Sequence, residues 1–146
     1  MYLNKHPSQW PNLSVNWDHE KSNWHYAFDS DPPDWAKDMI LGEALLSDIH
    51  PNLFFNSKVD CYKEFWKSCI EDKAEEVIKH WANGEALTPP ALWICKEQGV
   101  NKILIAGGNH RFNVAFLSGE EKISFLTSVE HKTRLEALLP SLKWIP

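Results

Sequence analysis

The stretch ILIAGGNHRFNVAFLSG, residues 103–119, carries the clearest indication of how this chain folds. Its first four residues are apolar and predict a short buried strand, and the apolar spacing of its last part predicts a short helix. Between the two, Gly107 and Gly108 permit backbone angles that other residues avoid, and Asn109 is a suitable N-cap. The stretch therefore predicts a strand, a tight turn and the start of a helix.

The start of this helix is suited to an anion. Main-chain N–H groups at a helix N-terminus lie at the positive end of the helix dipole, and His110 and Arg111 add basic side chains in the first turn. We expect a phosphate group to bind here. The alternative is that a Gly-Gly turn followed by a capping Asn is ordinary loop structure without a ligand.

Length and composition predict one globular domain. The chain has 146 residues, of which 43% are hydrophobic, and this content is sufficient for a core. No apolar run is long enough to span a membrane, and the N-terminus lacks the layout of a signal peptide, so we expect a cytoplasmic protein without a membrane partner. Cys61, Cys69 and Cys95 form no Cys-x-x-Cys motif, which predicts free buried thiols and no structural metal.

Charge is spread unevenly along the chain. The formal net charge of −5 divides into −7 over residues 1–85 and +2 over residues 86–146. An acidic body gains little from neutralising the phosphates of a long duplex, so the composition argues against a protein that coats DNA without sequence preference. A small anionic ligand near the C-terminal part remains compatible with this distribution.

The first 41 residues stand apart as a Trp-rich extension. Half of the eight tryptophans of the chain lie here, among Pro, Asn, Asp and His: Trp10, Trp17, Trp24 and Trp35. Disordered segments are poor in large aromatic residues, so we expect the extension to pack on a domain that comprises residues 42–146, with at most a short helix around residues 17–28. The alternative is an aromatic surface that binds a protein partner.

The remaining pattern predicts an α+β fold with a small mixed sheet and flanking helices. GEALLSDIHPN, residues 42–52, is typical of a short strand that closes in a turn. Apolar residues at helical spacing predict one long helix over residues 62–81, or two helices broken near residues 71–73, with Gly84 as a stop. Three further strands are predicted at residues 92–95, 103–106 and 123–127, and a last helix is predicted to begin near Glu130.

The order of these motifs carries a family resemblance. LSDIHPN, a long helix, LTPPALWI, ILIAGGNHRFNVAFL and ISFLTS follow one another as in sulfiredoxins and the N-terminal domains of ParB-like proteins, and the resemblance covers about residues 42–139. It implies that fold and a nucleotide bound at the GGNHR helix start, with ATP or CTP and Mg²⁺ as the expected cofactors. The residues implied to line the site are Gly107, Gly108, Asn109, His110 and Arg111, with Lys73, Glu76 and His80 from the preceding helix.

Departures from the family limit the chemistry that can be carried over. Sulfiredoxins place a nucleophilic cysteine where this chain has Asn109, and a carboxamide cannot form a thiolate-derived intermediate, so sulfiredoxin activity is not expected. For Lys73 and Glu76 the alternative is the solvated side of an amphipathic helix.

Two functions from different classes follow. The first is a nucleotide- or nucleic-acid-phosphate-binding protein with NTPase, kinase or nuclease-type phosphoryl chemistry, in which His110 and Arg111 act as catalytic residues. A base is not identified, and Asp48, His50 and Glu76 are the candidates. The second is a non-catalytic adaptor or inhibitor that binds a protein partner through its acidic, Trp-rich N-terminal region.

Overall fold

The computed structural model describes residues 1–28 and 38–146, and within them five strands form one mixed sheet. In chain order the strands are β1 (Met39–Leu45), β2 (Ala91–Glu97), β3 (Val100–Gly107), β4 (Lys122–Ser128) and β5 (Lys143–Ile145). Their order across the sheet is β3-β2-β4-β1-β5, in which β2 and β4 run parallel and the other neighbours antiparallel. The α+β class and the mixed sheet are as the sequence predicts.

Helices flank this sheet. In the described part of the chain the α-helices are α1 (Leu46–Ile49), α2 (Tyr62–Ser68), α3 (Glu71–Ala82), α4 (Asn109–Leu117) and α5 (Lys132–Leu138). Short 3-10 turns lie at Pro7–Gln9, Lys21–Ala27, His50–Asn52, Phe55–Ser57 and Val129–His131. Over the same described residues, no helix is both long enough and apolar enough to cross a bilayer.

The helical stretch after residue 61 is broken, as one of the two alternatives predicted. The backbone of Ile70 is extended, with φ −90° and ψ 113°, and this residue caps the start of α3. Its amide donates to Nε2 of His110 at 3.0 Å, so the bend between α2 and α3 is tied to the start of α4. At the other end, Gly84 takes a positive φ of 76° just beyond α3, consistent with its predicted place as a stop.

The stretch over residues 42–52 corrects the prediction of a strand that runs into a turn. β1 begins earlier, at Met39, and ends at Leu45, and residues 46–52 are helical. Residues 39–41, which the sequence assigned to the extension, therefore belong to the sheet. Packing explains the change, because β1 pairs along its whole length with β4 while Ile49, beyond the strand, turns into the core and is fully buried.

The core lies where α2, α3 and α4 pack against the sheet. Its largest fully buried side chains include Phe65, Trp81, Phe112 and Phe125. A second, smaller cluster unites an N-terminal residue with three strands, and its buried members are Ala27, Met39, Leu41, Ala91 and Leu126. This second cluster holds the end of the first described segment against the sheet.

The N-terminal tryptophans differ in how they pack. Trp10 is buried and meets Trp66 edge-on, with ring centroids 6.3 Å apart. Trp17 is half-buried, packs edge-on against the fully buried Trp81 at 5.2 Å and forms a parallel bridge with Leu87. Trp24 is half-buried, and Trp35 lies outside the described residues. The first two of these side chains therefore anchor the N-terminal segment on the domain.

The three cysteines are free thiols, but the prediction that they are buried is wrong. Cys61 is exposed, while Cys69 and Cys95 are half-buried. Burial raises the pKa of the Cys69 and Cys95 thiols above the ordinary value. Cys69 and Cys95 lie on faces that the fold covers only in part, whereas Cys61 precedes α2 and faces solvent.

Candidate functional site

A cavity of about 520 Å³ lies between α3, the turn before α4 and the N-terminal segment. Two separate parts of the sequence, one on α3 and one around the Gly-Gly turn, meet in it. The eight site residues singled out from the sequence all line it, namely Lys73, Glu76, His80, Gly107, Gly108, Asn109, His110 and Arg111. This volume falls within the range of small-molecule sites, about 300–1,000 Å³.

The turn before α4 differs in one detail from the prediction. Gly108, not Asn109, is the N-cap, with the left-handed angles φ 77° and ψ 32° that glycine adopts without strain. Asn109 is the first helical residue, and its Oδ1 accepts from Nδ2 of Asn113 at 3.1 Å instead of capping the helix. The first helical bond runs from the Phe112 amide to the Gly108 carbonyl at 2.9 Å, so the preceding amides point out of the helix start.

Both glycines of the turn are required by the packing of the chain itself. A Cβ on Gly107 would lie 2.2 Å from the carbonyl oxygen of Ala27. A Cβ on Gly108 would lie 2.6 Å from Nη2 of Arg111 and 2.9 Å from Cα of Pro90. At Gly107 the backbone of the N-terminal segment therefore approaches the main chain as closely as a glycine allows.

Arg111 ties that segment in place. Its Nη1 donates to the carbonyl of Thr88 at 2.7 Å, and its Nη2 donates to the carbonyl of Ala27 at 3.0 Å. Both terminal nitrogens thus donate to carbonyl oxygens of the chain itself. Bidentate binding of a phosphate through these nitrogens would require both hydrogen bonds to break. The positive charge of the guanidinium nevertheless stays at the cavity wall.

His110 joins α4 to the start of α3. Because its Nε2 accepts from the Ile70 amide at 3.0 Å, the neutral ring carries its proton on Nδ1. Proton transfer to or from a ligand would accordingly use Nδ1. From the second residue of α4, the His110 ring reaches the bend between α2 and α3.

The α3 residues present one face to the cavity. Lys73, Glu76 and His80 are spaced by three and four residues, and the buried Val77 lines the cavity beneath them. Nδ1 of His80 pairs with the carboxylate of Glu85. This face is thus not only solvated helix surface, because it forms one wall of the open cavity.

The N-terminal segment supplies a wall that the sequence did not predict. Asp18, Asn23 and Tyr26 all line the cavity. Oδ1 of Asp18 accepts from the Glu20 amide at 2.9 Å, and its Oδ2 accepts from Nδ2 of Asn23 at 2.8 Å. These residues lie about fifty residues or more before the other walls, and no local pattern marks them as neighbours of the Gly-Gly turn.

Two of the three candidate bases lie elsewhere. Oδ2 of Asp48 accepts from the Ser141 amide at 3.0 Å, so this carboxylate joins α1 to the chain near β5. His50 stacks on Phe116 at 4.1 Å, and its Nε2 lies 2.9 Å from the Val59 carbonyl. Neither residue lines the cavity, which leaves Glu76 as the one candidate base in its wall.

The charges around the cavity are balanced and mixed. Lys73 and Arg111 carry positive charge, and Asp18 and Glu76 carry negative charge. Among residues 1–28 and 38–146, no three His, Cys, Asp or Glu side chains lie together as a protein-held metal site would require. A Mg²⁺ ion here would therefore depend on ligand phosphates for most of its oxygen ligands.

Comparison of the chain with protein-family models, with curated proteins and with solved structures gave no match. The ParB/sulfiredoxin resemblance accordingly remains a prediction from the order of the sequence motifs.

Proposed function

We propose that this chain is a ParB/sulfiredoxin-like protein that binds a nucleotide, with the phosphates at the GGNHR helix start. One observation carries the proposal: α3 and the Gly-Gly turn, distant in sequence, place all their predicted ligand residues around one cavity of about 520 Å³. A glycine turn that only connected a strand to a helix would not need a cavity with basic side chains in front of it.

The phosphate end of the site is formed by main-chain and side-chain donors together. The nine residues of α4 direct their dipole at the cavity, and the amides at its start are suited to phosphate oxygens. Lys73 on α3 adds one positive charge, and Arg111 adds a second that its hydrogen bonds hold in place. In this arrangement Arg111 acts chiefly through its charge, because its terminal nitrogens are bonded to main-chain oxygens.

This donor set fits the triphosphate of ATP or CTP, with Mg²⁺ held by the phosphates. The bound metal would neutralise phosphate charge. Phosphoryl chemistry at this site would use His110 through Nδ1 and Glu76 as the base that is in reach of the cavity. Because Asn109 stands at the start of α4, no cysteine chemistry is proposed there.

Calorimetric titration with ATP and CTP, with and without Mg²⁺, tests the proposal on the whole chain. Lys73→Ala should weaken nucleotide binding by about tenfold or more, since a charged hydrogen bond to phosphate contributes about 1.5–3 kcal/mol. Lys79→Ala is the matched control, because Lys79 is an exposed residue of the same helix that does not line the cavity. Release of inorganic phosphate from the bound nucleotide would separate an enzyme from a binding protein.

Two results would contradict the proposal. One is that neither nucleotides nor inorganic triphosphate bind the wild-type chain. The other is that Lys73→Ala and Lys79→Ala bind nucleotide equally well. Either result would favour the adaptor function, in which the acidic, Trp-rich N-terminal region binds a protein.

A further inference from the structure

We infer that the N-terminal segment forms the nucleoside half of this site, and that Asp18 selects ligands that donate a hydrogen bond from a neutral group. The inference rests on the proposed function, because it assumes that the phosphates bind at the start of α4. It goes beyond that function by assigning a different recognition task to a different part of the chain. The ligand it requires is a nucleoside phosphate and not a phosphate group alone.

The chemistry of the N-terminal wall is unlike that of the α4 end. Its three lining side chains are a carboxylate, a carboxamide and a phenol, from Asp18, Asn23 and Tyr26. A carboxylate repels phosphate and accepts hydrogen bonds, so it suits the hydroxyls of a ribose or the amino group of a base. An aromatic ring beside it suits the flat face of a base. The chemistry of the N-terminal wall therefore suits a nucleoside, and that of the α4 wall suits phosphates.

This wall is built into the domain. Trp17 bridges to Leu87, the Asp18 amide donates to the Leu87 carbonyl at 2.8 Å, and the Leu87 amide donates back to Asn16 at 3.1 Å. Further along, Oγ1 of Thr88 donates to the Asn23 carbonyl at 3.2 Å. The segment is thus joined by hydrogen bonds to the same strand-like stretch whose Thr88 carbonyl receives Arg111.

The Asp18 carboxylate is oriented and still has acceptor capacity. Each of its oxygens accepts one bond from within the segment, from the Glu20 amide and from the Asn23 side chain. An ionised carboxylate has about four lone-pair sites, so a ligand donor can be added without breaking either bond. Tyr26, with 63% of its surface exposed, lines the cavity without supporting the core, and its ring contacts that of His25 at 4.0 Å.

Removal of the Asp18 charge should change the binding of two kinds of ligand in opposite directions. Asp18→Asn lowers the repulsion of phosphate, so inorganic triphosphate should bind equally well or more tightly. The same variant weakens the acceptor for a nucleoside donor, so ATP should bind about tenfold more weakly. Tyr26→Ala should also weaken ATP binding about tenfold and leave triphosphate binding unchanged. Because the Tyr26 side chain is exposed, its removal should leave the fold intact.

The experiment is calorimetric titration of ATP, 2′,3′-dideoxy-ATP, CTP and inorganic triphosphate into wild type, Asp18→Asn, Tyr26→Ala and Asp72→Asn. Asp72 is the control, because it is exposed, adjoins Lys73 and does not line the cavity, so its loss removes one negative charge without removing a cavity-lining group. If ATP loses affinity in Asp18→Asn and dideoxy-ATP does not, the donor is a ribose hydroxyl. If both lose affinity equally, the donor is on the base.

The inference is overturned if wild type binds triphosphate as tightly as ATP, or if Asp18→Asn and Tyr26→Ala leave the ratio of ATP to triphosphate affinity at its wild-type value. In both cases phosphate binding persists and the proposed function stands. Absence of binding by every ligand to wild type would instead remove the proposed function, and the inference with it. Thermal unfolding of each variant confirms that the compared proteins are folded.

Discussion

Substitution of Gly107 by alanine tests whether the N-terminal segment really covers the Gly-Gly turn. The φ of Gly107 is not positive, so alanine meets no backbone strain there, and in open space such a change would stabilise the chain by about 0.4–1 kcal/mol. Here the new Cβ would stand 2.2 Å from the carbonyl oxygen of Ala27. The sign of the stability change therefore depends on that single contact.

The magnitude follows from how firmly Ala27 is held. Observed Cβ contacts are essentially never below 3.0 Å, so the two atoms must separate by about 0.8 Å or more. Ala27 is fully buried among Met39, Leu41, Ala91 and Leu126, and its carbonyl accepts the bond from Arg111. Overpacking of this kind costs about 1–3 kcal/mol, which for a chain of this length lowers Tm by about 2–12 °C.

The assay is urea and thermal unfolding, combined with hydrogen exchange over residues 21–28. Gly107→Ala should lower the free energy of unfolding and speed exchange in that segment. Gly99→Ala is the control, because a Cβ there meets no atom within 4 Å while its φ of 81° costs alanine about 1–2 kcal/mol. It should destabilise the chain without a local change at residues 21–28. A Gly107→Ala protein as stable as wild type would refute the close contact between the Ala27 carbonyl and the Gly-Gly turn.

Further predictions concern Arg111, a buried histidine and the thiols. Arg111→Ala should lower the free energy of unfolding in urea by about 1.5–3 kcal/mol, because two charged hydrogen bonds are lost, and Arg111→Lys should not restore it; unchanged stability would contradict a stabilising role for these two bonds. Burial lowers the pKa of His131, so below about pH 6.5 the unfolded chain takes up this proton more readily and stability falls as the pH falls. His131→Gln should flatten the dependence of Tm on pH between about 7.5 and 5, and an unaltered slope would contradict this. Cys61 should react with a maleimide before Cys69 and Cys95, whose pKa values burial raises; equal rates by peptide mass spectrometry would speak against the assigned exposures.

Several parts of the fold follow from local patterns alone. The two stretches that form β2 and β3 are short and apolar and flank a turn, and in the structure they pair as an antiparallel hairpin. The helical spacing over residues 62–81 predicted the buried face of α3, including Ala74, Ile78 and Trp81. Such features are readable because the spacing of apolar residues along one element reports which of its faces is covered.

Other local assignments failed where neighbouring conformations compete closely. The strand over residues 42–52 became β1 followed by helical turns, and β5 was missed because a three-residue strand has too short a pattern. The helix cap moved from Asn109 to Gly108, since both residues suit a helix start and the packing against Pro90 selects the glycine. In each case the tertiary contacts of the residue select its conformation.

The sequence by itself determined a strand, a turn and a helix start around Gly107 and Gly108, and a family resemblance suggested the residues of α3 that lie beside them. Only the tertiary structure decided that Ala27 crosses that turn, that Arg111 bonds main-chain oxygens, and that Asp18 completes the cavity wall. The reason is physical: local spacing encodes the conformation and burial of single elements. Contacts between distant segments, such as the bond from Arg111 to Ala27 across 84 residues, arise from the packing of the whole chain, and no short pattern records them.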